Sequence, residues 1–251
     1  MIFCFSGTGN SLWVAQRLSH NLGDEIKIIN NSGKYESATC ERAIWVFPIY
    51  SWGVPPVVVD FMKNTNLPAK SRHYMVCTCG DDIGNAHLMW RKIINRRGWI
   101  DCGAYSVIMP NTYTLMKGFD VDSPQIMQKK LDDAPARVDH ISQLIDHDNH
   151  IDSNMPVNDV TTGQWAWIKT RIIYPYFVKF CMSPRPFHAN ENCIGCKKCS
   201  RECPLSNITM NGNRPDWGNN CALCLRCYHI CPQHAVNYGK ATRHKGQYLH
   251  P

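Results

Sequence analysis

Two stretches near the end of the chain repeat one pattern, Cys193-x2-Cys196-x2-Cys199-x3-Cys203-Pro204 and Cys221-x2-Cys224-x2-Cys227-x3-Cys231-Pro232. They divide the 14 cysteines into eight in register and six scattered ahead of them. Three cysteines at i, i+3 and i+6 let a tight loop wrap one face of an iron-sulfur cubane. The fourth, turned away by the following proline, ligates the other cubane. The expected ligand sets therefore cross over: Cys193, Cys196 and Cys199 with Cys231, and Cys221, Cys224 and Cys227 with Cys203. A segment of this kind has little other core, so metal binding and folding are expected to be one event. Zinc sites are also built from C-x2-C pairs, but they need neither a third cysteine at the same interval nor the Cys-Pro ending. A secreted disulfide scaffold would not concentrate its cysteines in this way.

Residues 186–240 resemble the bacterial two-cluster ferredoxins. The resemblance implies two low-potential [4Fe-4S] centres, each passing one electron at a time. Lys197 and Lys198, inside the first cysteine loop, depart from the usually acidic surface of that family.

The formal net charge is +7 over 251 residues, which alone would suggest nucleic acid or an anionic membrane as a partner. The last 65 residues hold eight Lys/Arg against three acids, and so most of the excess. Two clusters, each about 2- with their four thiolates, bring the chain to about +3, and a bound phosphate dianion to about +1. A nucleic-acid role thus loses its main support. What remains is a local basic patch at Lys197, Lys198 and Arg201, expected to dock an acidic redox partner.

The first 110 residues alternate apolar runs with helical patterns. Met1 to Phe5, Glu25 to Asn30, Arg42 to Pro48, His73 to Cys79 and Ala104 to Met109 read as buried parallel strands. Ser11 to Asn21, Pro55 to Asn64 and Asn85 to Arg97 read as the helices between them. The expected fold class is α/β, an open doubly wound sheet of five parallel strands, followed by a small α+β domain around the cysteines. A last helix is expected over Ser123 to Asp146, with a kink or break at Pro135.

Ser6-Gly7-Thr8-Gly9-Asn10-Ser11 follows the first strand and opens a helix. Backbone N-H groups and hydroxyls there form a nest suited to a phosphate dianion. A Gly/Ser turn before a helix also occurs simply as a turn. A P-loop would need Gly-Lys-Ser/Thr, and a dinucleotide fingerprint would need glycine where Leu12 stands. Direct use of a nicotinamide nucleotide is therefore not supported. Two later loops follow strand ends: Pro48-Ile49-Tyr50-Ser51-Trp52-Gly53, and Cys79-Gly80-Asp81-Asp82-Ile83-Gly84-Asn85. The loop at 6–11 resembles the flavodoxin phosphate loop, which holds the phosphate of FMN. The resemblance implies that Tyr50 and Trp52 offer flat surface to the isoalloxazine ring, that the glycines let backbone approach its edge, and that Asp81 and Asp82 lower its potential. A hydrophobic loop anchor is the other reading of Trp52, and solvated turn residues that of the aspartates.

The whole is similar to the flavodoxin-ferredoxin fusion proteins, over roughly residues 1–110 and 186–240. The expected organisation is an FMN domain at 1–147, a linker and aromatic helix at 148–185, and a two-cluster domain at 186–251. The linker is expected from the polar run Asp148 to Val160 and the helix over Gly163 to Met182, as inter-domain packing, a substrate wall or a surface-membrane contact. Asn111-Thr112-Tyr113 is placed to overhang the flavin. The implied function is electron transfer between two [4Fe-4S] clusters and FMN, joining one-electron to two-electron chemistry. The alternative is an FMN-dependent reductase of a small organic substrate, fed by its own clusters and capped by residues 111–185. With no basic n-region and no apolar h-region of roughly 7–15 residues, a cytoplasmic location without a membrane span is expected.

Overall fold

The computed structural model describes residues 1–30, 33–148 and 156–251. In chain order the front of the molecule contains β1 (Ile2–Cys4), α1 (Asn10–Leu22), β2 (Ile26–Ile28), β3 (Tyr35–Glu36), β4 (Arg42–Pro48), α2 (Pro56–Lys63), β5 (Thr65–Asn66), β6 (Arg72–Cys79), α3 (Ala86–Arg96), β7 (Ile100–Ile108), α4 (Pro124–Asp148) and β8 (Val157–Asp159). Six strands form one sheet in the order β2-β1-β4-β6-β7-β8, and each of its pairings is parallel. Parallel neighbours require long crossovers, which the helices supply on both faces.

Side-chain alternation along the strands sends each residue to one of two cores. Phe3, Phe5, Trp45 and Phe47 pack with Val58, Phe61 and Met62 of α2 and Trp90 and Ile94 of α3. Ile2, Cys4, Ile44 and Val46, one position out of phase, pack with Val14 and Leu18 of α1 and Val138, Ile141 and Ile145 of α4. Strands buried on both faces have few polar positions, so they read as largely apolar runs. The chain moves from β1 out to β2 and returns to the other side of β1 as β4. That reversal opens a crevice at the carboxyl ends of β1 and β4.

The sheet has six strands, not the expected five. The extra one, Val157–Asp159, pairs with β7 through Gly103, Ala104 and Tyr105. It lies within the expected linker, of which residues 149–155 lie outside the described residues. Three residues at a sheet edge, two of them polar, give no apolar run to read. Helix α4 continues through Pro135 without a break. The aromatic segment forms one further helix, α5, running through Ala166–Ile168, Lys169–Ile173, Tyr174–Tyr176 and Phe177–Cys181 and alternating α with wider π turns. Pro175 has no N-H to give to the carbonyl four residues back, and wide turns flank it on both sides.

In the C-terminal region β9 (Phe187–Ala189) pairs antiparallel with β12 (Val236–Tyr238), and β10 (Ile208–Asn211) with β11 (Arg214–Trp217). Short helices at Lys198–Arg201 and Arg226–His229 carry the third cysteine of each run. Phe187, Ile208, Leu223, Leu225, Tyr228 and Val236 form its core, joined by Leu115 and by Phe177 of α5.

Candidate functional site

Two cavities in the C-terminal region are lined by the cysteines in sets of four. Cys193, Cys196, Cys199 and Cys231 border a cavity of about 20 Å³. Cys203, Cys221, Cys224 and Cys227 border another of about 20 Å³. Each first triad is bent around its cavity by left-handed residues, Gly195 and Lys197 in one run and Leu223 and Leu225 in the other. Three thiol sulfurs accept backbone N-H groups: Cys203 from Asn207 (3.3 Å), Cys221 from Leu223 (3.4 Å) and Cys231 from Ala235 (3.2 Å). The Trp217 side chain lines the second cavity, its buried indole N-H beside the Cys227 thiol. Burial pushes the Cys199 thiol up to about 11 and that of Cys224 to about 12. Thiolates in such surroundings call for the compensating charge of bound metal. The donor chemistry of both sets, four thiols lining one cavity with a backbone N-H given to Cys231 in the first and to Cys203 and Cys221 in the second, suits a multi-metal cluster, and among the described residues no three such side chains converge on a single ion.

The cavities differ in depth. Cys196, Lys197, Lys198 and Arg201 at the first are exposed. The second faces the α/β part of the molecule, where Leu205, Ala222 and Cys224 pack against the sheet core.

The loop at 6–11 leaves β1 at the crevice and starts α1. Its first helical hydrogen bond runs from Trp13 N-H to Gly9 C=O, 2.9 Å, so the N-H groups ahead of Trp13 stand outside the helical ladder. The Ser6 hydroxyl is buried without a partner. Ser11 Oγ meets Thr78 Oγ1 at 2.7 Å. Asn10 donates to Pro110 C=O (3.0 Å) and accepts from the Tyr248 hydroxyl (2.7 Å). An unpartnered hydroxyl beside N-H groups outside the helical ladder is a donor set for an anion, and in this respect the loop fits a phosphate.

The C-terminal region closes over this loop. Arg226 donates to Gly7 C=O at 3.2 Å, and His250 N-H to Thr8 C=O at 2.9 Å. A Cβ on Gly7 would run into the Cys224 carbonyl oxygen, so the absence of a side chain there permits the cysteine loop to approach. At Gly9, φ is +108° and a Cβ would lie 2.8 Å from His250 Cβ.

The loop at 48–53 turns through left-handed Ser51 and Trp52. Tyr50 points inward: its ring meets Phe5 edge-on at 6.5 Å, and its hydroxyl is buried without a partner. Burial, then the nearby Cys224 and Cys221, hold the phenol well above its ordinary pKa. Tyr50 packs against both the sheet core and the C-terminal core. Trp52 is half-buried with the Lys169 ammonium 5.0 Å from its ring centre. In the loop at 79–85, Cys79 is a core residue, raised to about 12 mainly by burial. Gly80 lies beside the Asn111 side chain. Asp81 is exposed, whereas Asp82 pairs with Lys169 at 2.6 Å and accepts Gly84 N-H at 2.9 Å.

Helix α5 lies on these two loops. Thr170 Oγ1 donates to Trp52 C=O (2.8 Å) and accepts Asn85 N-H (2.8 Å), while the Tyr174 hydroxyl donates to Val54 C=O (2.5 Å). Tyr174 packs directly on Gly53. Pro48 ends β4 at this rim. The Thr112 carbonyl accepts from His229 at 2.8 Å, tying the 111–113 segment to the second cysteine run. Thr170, Arg226, Tyr248 and His250 had no sequence signal, because each acts through a contact distant in the chain.

No protein-family model matches the sequence. A 45-residue stretch is 42% identical to one of the subunits of the ion-translocating oxidoreductase complex of Methanosarcina acetivorans, covering 18% of this chain and 17% of that protein. The chain thus spans about a sixth of that relative. Among solved structures, the Trp repressor binding protein of Bacillus subtilis is 13% identical with a TM-score of 0.38, over 56% of this chain and 96% of the other. A flavodoxin of Streptococcus pneumonia TIGR4 is 12% identical with a TM-score of 0.36, over 58% and 95%. An FMN-dependent NADH-azoreductase of Bacillus anthracis in complex with FMN is 14% identical with a TM-score of 0.30, over 53% and 64%. At such scores strand order and register, not these likenesses, define the fold.

Proposed function

We propose that the chain is an electron-transfer flavo-iron-sulfur protein, passing electrons between two [4Fe-4S] clusters and FMN. The observation that carries this reading is the junction of Cys224 with Gly7. It sets a cysteine cavity against the loop best suited to a phosphate, within one chain. The strand order supports the flavin part, since its first five strands follow the 2-1-3-4-5 order of flavodoxins, whose ligand crevice lies at the reversal.

On this reading Cys193, Cys196, Cys199 and Cys231 hold the outer cluster, and Cys203, Cys221, Cys224 and Cys227 the inner one. Ser6, Thr8 and the N-H groups at the start of α1 bind the phosphate, and Trp52 with the 80–85 loop borders the ring. FMN supplies two-electron capacity that can be filled one electron at a time, which single clusters lack. The protein's own contribution is order and insulation. Lys197, Lys198 and Arg201 offer an acidic donor protein a docking point at the outer cluster, and Tyr50 and Leu205 exclude water between the inner cluster and the crevice.

A second reading, reduction of a small organic substrate at FMN, is favoured by α5, which covers the flavin loops as a cap would. A carrier needs the flavin edge open to a partner, whereas a reductase needs a substrate-sized space beneath α5. Metal, acid-labile sulfide and flavin analysis of anaerobically purified protein tests the proposal: about eight irons and one FMN per chain are expected. Zinc in the cysteine sites, or no flavin, would refute it.

A further inference from the structure

Helix α5 has two unlike faces. Thr170, Tyr174 and Phe177 are buried and fix it to the body of the protein. The opposite face is apolar as well, which is unusual for a helix side left in water. Of the fifteen large hydrophobic side chains exposed among the described residues, seven lie between Trp165 and Phe180. Trp165 is 73% exposed, Trp167 61%, Tyr176 60% and Phe180 61%, so these side chains stand out from the surface.

Charges within this stretch of sequence are of one sign, while Asp60 and Asp82 from the body of the protein lie beside Tyr174 and Lys169. Residues 160–190 contain no Asp or Glu, in a chain that holds 20, and carry Lys169, Arg171, Lys179 and Arg185. Lys169 is neutralised by Asp82. Arg171, Lys179 and Arg185 are exposed, and the Lys179 ammonium lies 5.0 Å from the Phe180 ring centre. Among the described residues no helix is long and apolar enough to cross a membrane.

We propose that the outer face of α5 docks on an anionic lipid surface, its Trp, Tyr and Phe rings entering the headgroup boundary while Arg171, Lys179 and Arg185 meet lipid phosphates. Protruding aromatic and isoleucine side chains flanked by cations are the composition of an interfacial helix. An acidic protein would satisfy the cations but not the exposed apolar side chains, Trp165, Trp167, Ile172 and the touching rings of Tyr176 and Phe180, which an anionic lipid surface satisfies together with them. The inference stands apart from the redox reading, since it uses none of the cofactor sites.

Sedimentation of the full-length protein, clusters loaded, with vesicles of phosphatidylcholine mixed with phosphatidylglycerol tests this. Wild type should bind the mixed vesicles about tenfold or more tightly than phosphatidylcholine alone, and less tightly as salt rises. The combined Trp165→Ser, Trp167→Ser and Phe180→Ser variant should lose about tenfold or more, with iron content and far-ultraviolet dichroism unchanged. Brominated lipid should quench wild-type tryptophan fluorescence, a readout that needs no variant. Wild type that stays in the supernatant, a variant that binds equally well, or binding without quenching would each overturn the proposal. So would a wild-type dimer that ignores vesicles and that the triple substitution dissociates, since the face would then belong to a second copy.

Discussion

In the parallel sheet Trp45, Phe47, Tyr74 and Ile44 are fully buried, and two cores sandwich the strands. In the region after residue 186 the four strands have three or four residues each, in two separate pairs, and the eight ring cysteines surround cavities. The first region gains its order from apolar burial that the chain supplies unaided. The second has short strands around a small core of Phe187, Ile208, Leu223, Leu225, Tyr228 and Val236, and on the proposed reading most of its cohesion comes from what the cysteines hold. That reading sets a self-sufficient part beside a dependent part, with Cys224 meeting Gly7 where the two join.

The largest effect expected from this contrast is on metal removal. Stripping the clusters anaerobically should abolish amide-exchange protection across 190–240 while β4 and β6 keep theirs. Equal loss in both regions would show that the sheet is not self-sufficient. Next in size is Gly7→Ala. The added methyl meets the Cys224 carbonyl, and overpacking of this kind costs about 1–3 kcal/mol. Denaturant unfolding should show that cost, and the two regions should move apart, slowing any transfer between them.

The fold of the first region was largely legible from sequence, because strands buried on both faces leave contiguous apolar residues such as Ala43 to Phe47. Strand β8 was not, since an edge strand of Val157, Asn158 and Asp159 needs no apolar run. Pro135 does not break α4 for a related reason: packing of Val138, Ile141 and Ile145 outweighs one missing hydrogen bond. Cysteine spacing is local information, so the two sets of four could be read directly, and the two cavities are lined by those same sets. The Arg226 to Gly7 contact joins residues 219 apart and leaves no trace in either segment. Tyr50 likewise lies near Cys221 and Cys224, which no local pattern connects to it.

A smaller effect sharpens the description of the sheet. His73 is fully buried, accepts the Trp45 indole N-H at Nδ1 (3.0 Å) and meets Ser71 Oγ at Nε2 (2.9 Å). Burial lowers its pKa to about 3, so the neutral ring is favoured in the folded state. The unfolded chain takes up a proton from about pH 6.5 downward, so this contribution is complete above that pH and declines towards pH 3. The decline is at most about 1.4 kcal/mol per pH unit. Urea unfolding of the apo-protein at stepped pH should show the slope, and His73→Gln should flatten it.

The smallest expected effect concerns the inner cluster. An indole N-H beside an anionic cluster favours the reduced, more negative state, so Trp217→Phe should lower one of the two potentials by tens of millivolts, where 59 mV is a tenfold change for one electron. Redox titration followed by electron paramagnetic resonance should show one cluster shifted and the other unmoved. Equal shifts in both would place Trp217 outside the inner site.

The central claim is that one chain carries electrons between the clusters and FMN. Rapid one-electron reduction of the loaded protein, with flavin and cluster absorbance followed separately, tests it most directly. The expected result is a first-order exchange between the two signals at a rate independent of protein concentration, slowed in Gly7→Ala. A rate proportional to protein concentration, or clusters that stay reduced beside oxidised flavin of higher potential, would contradict it.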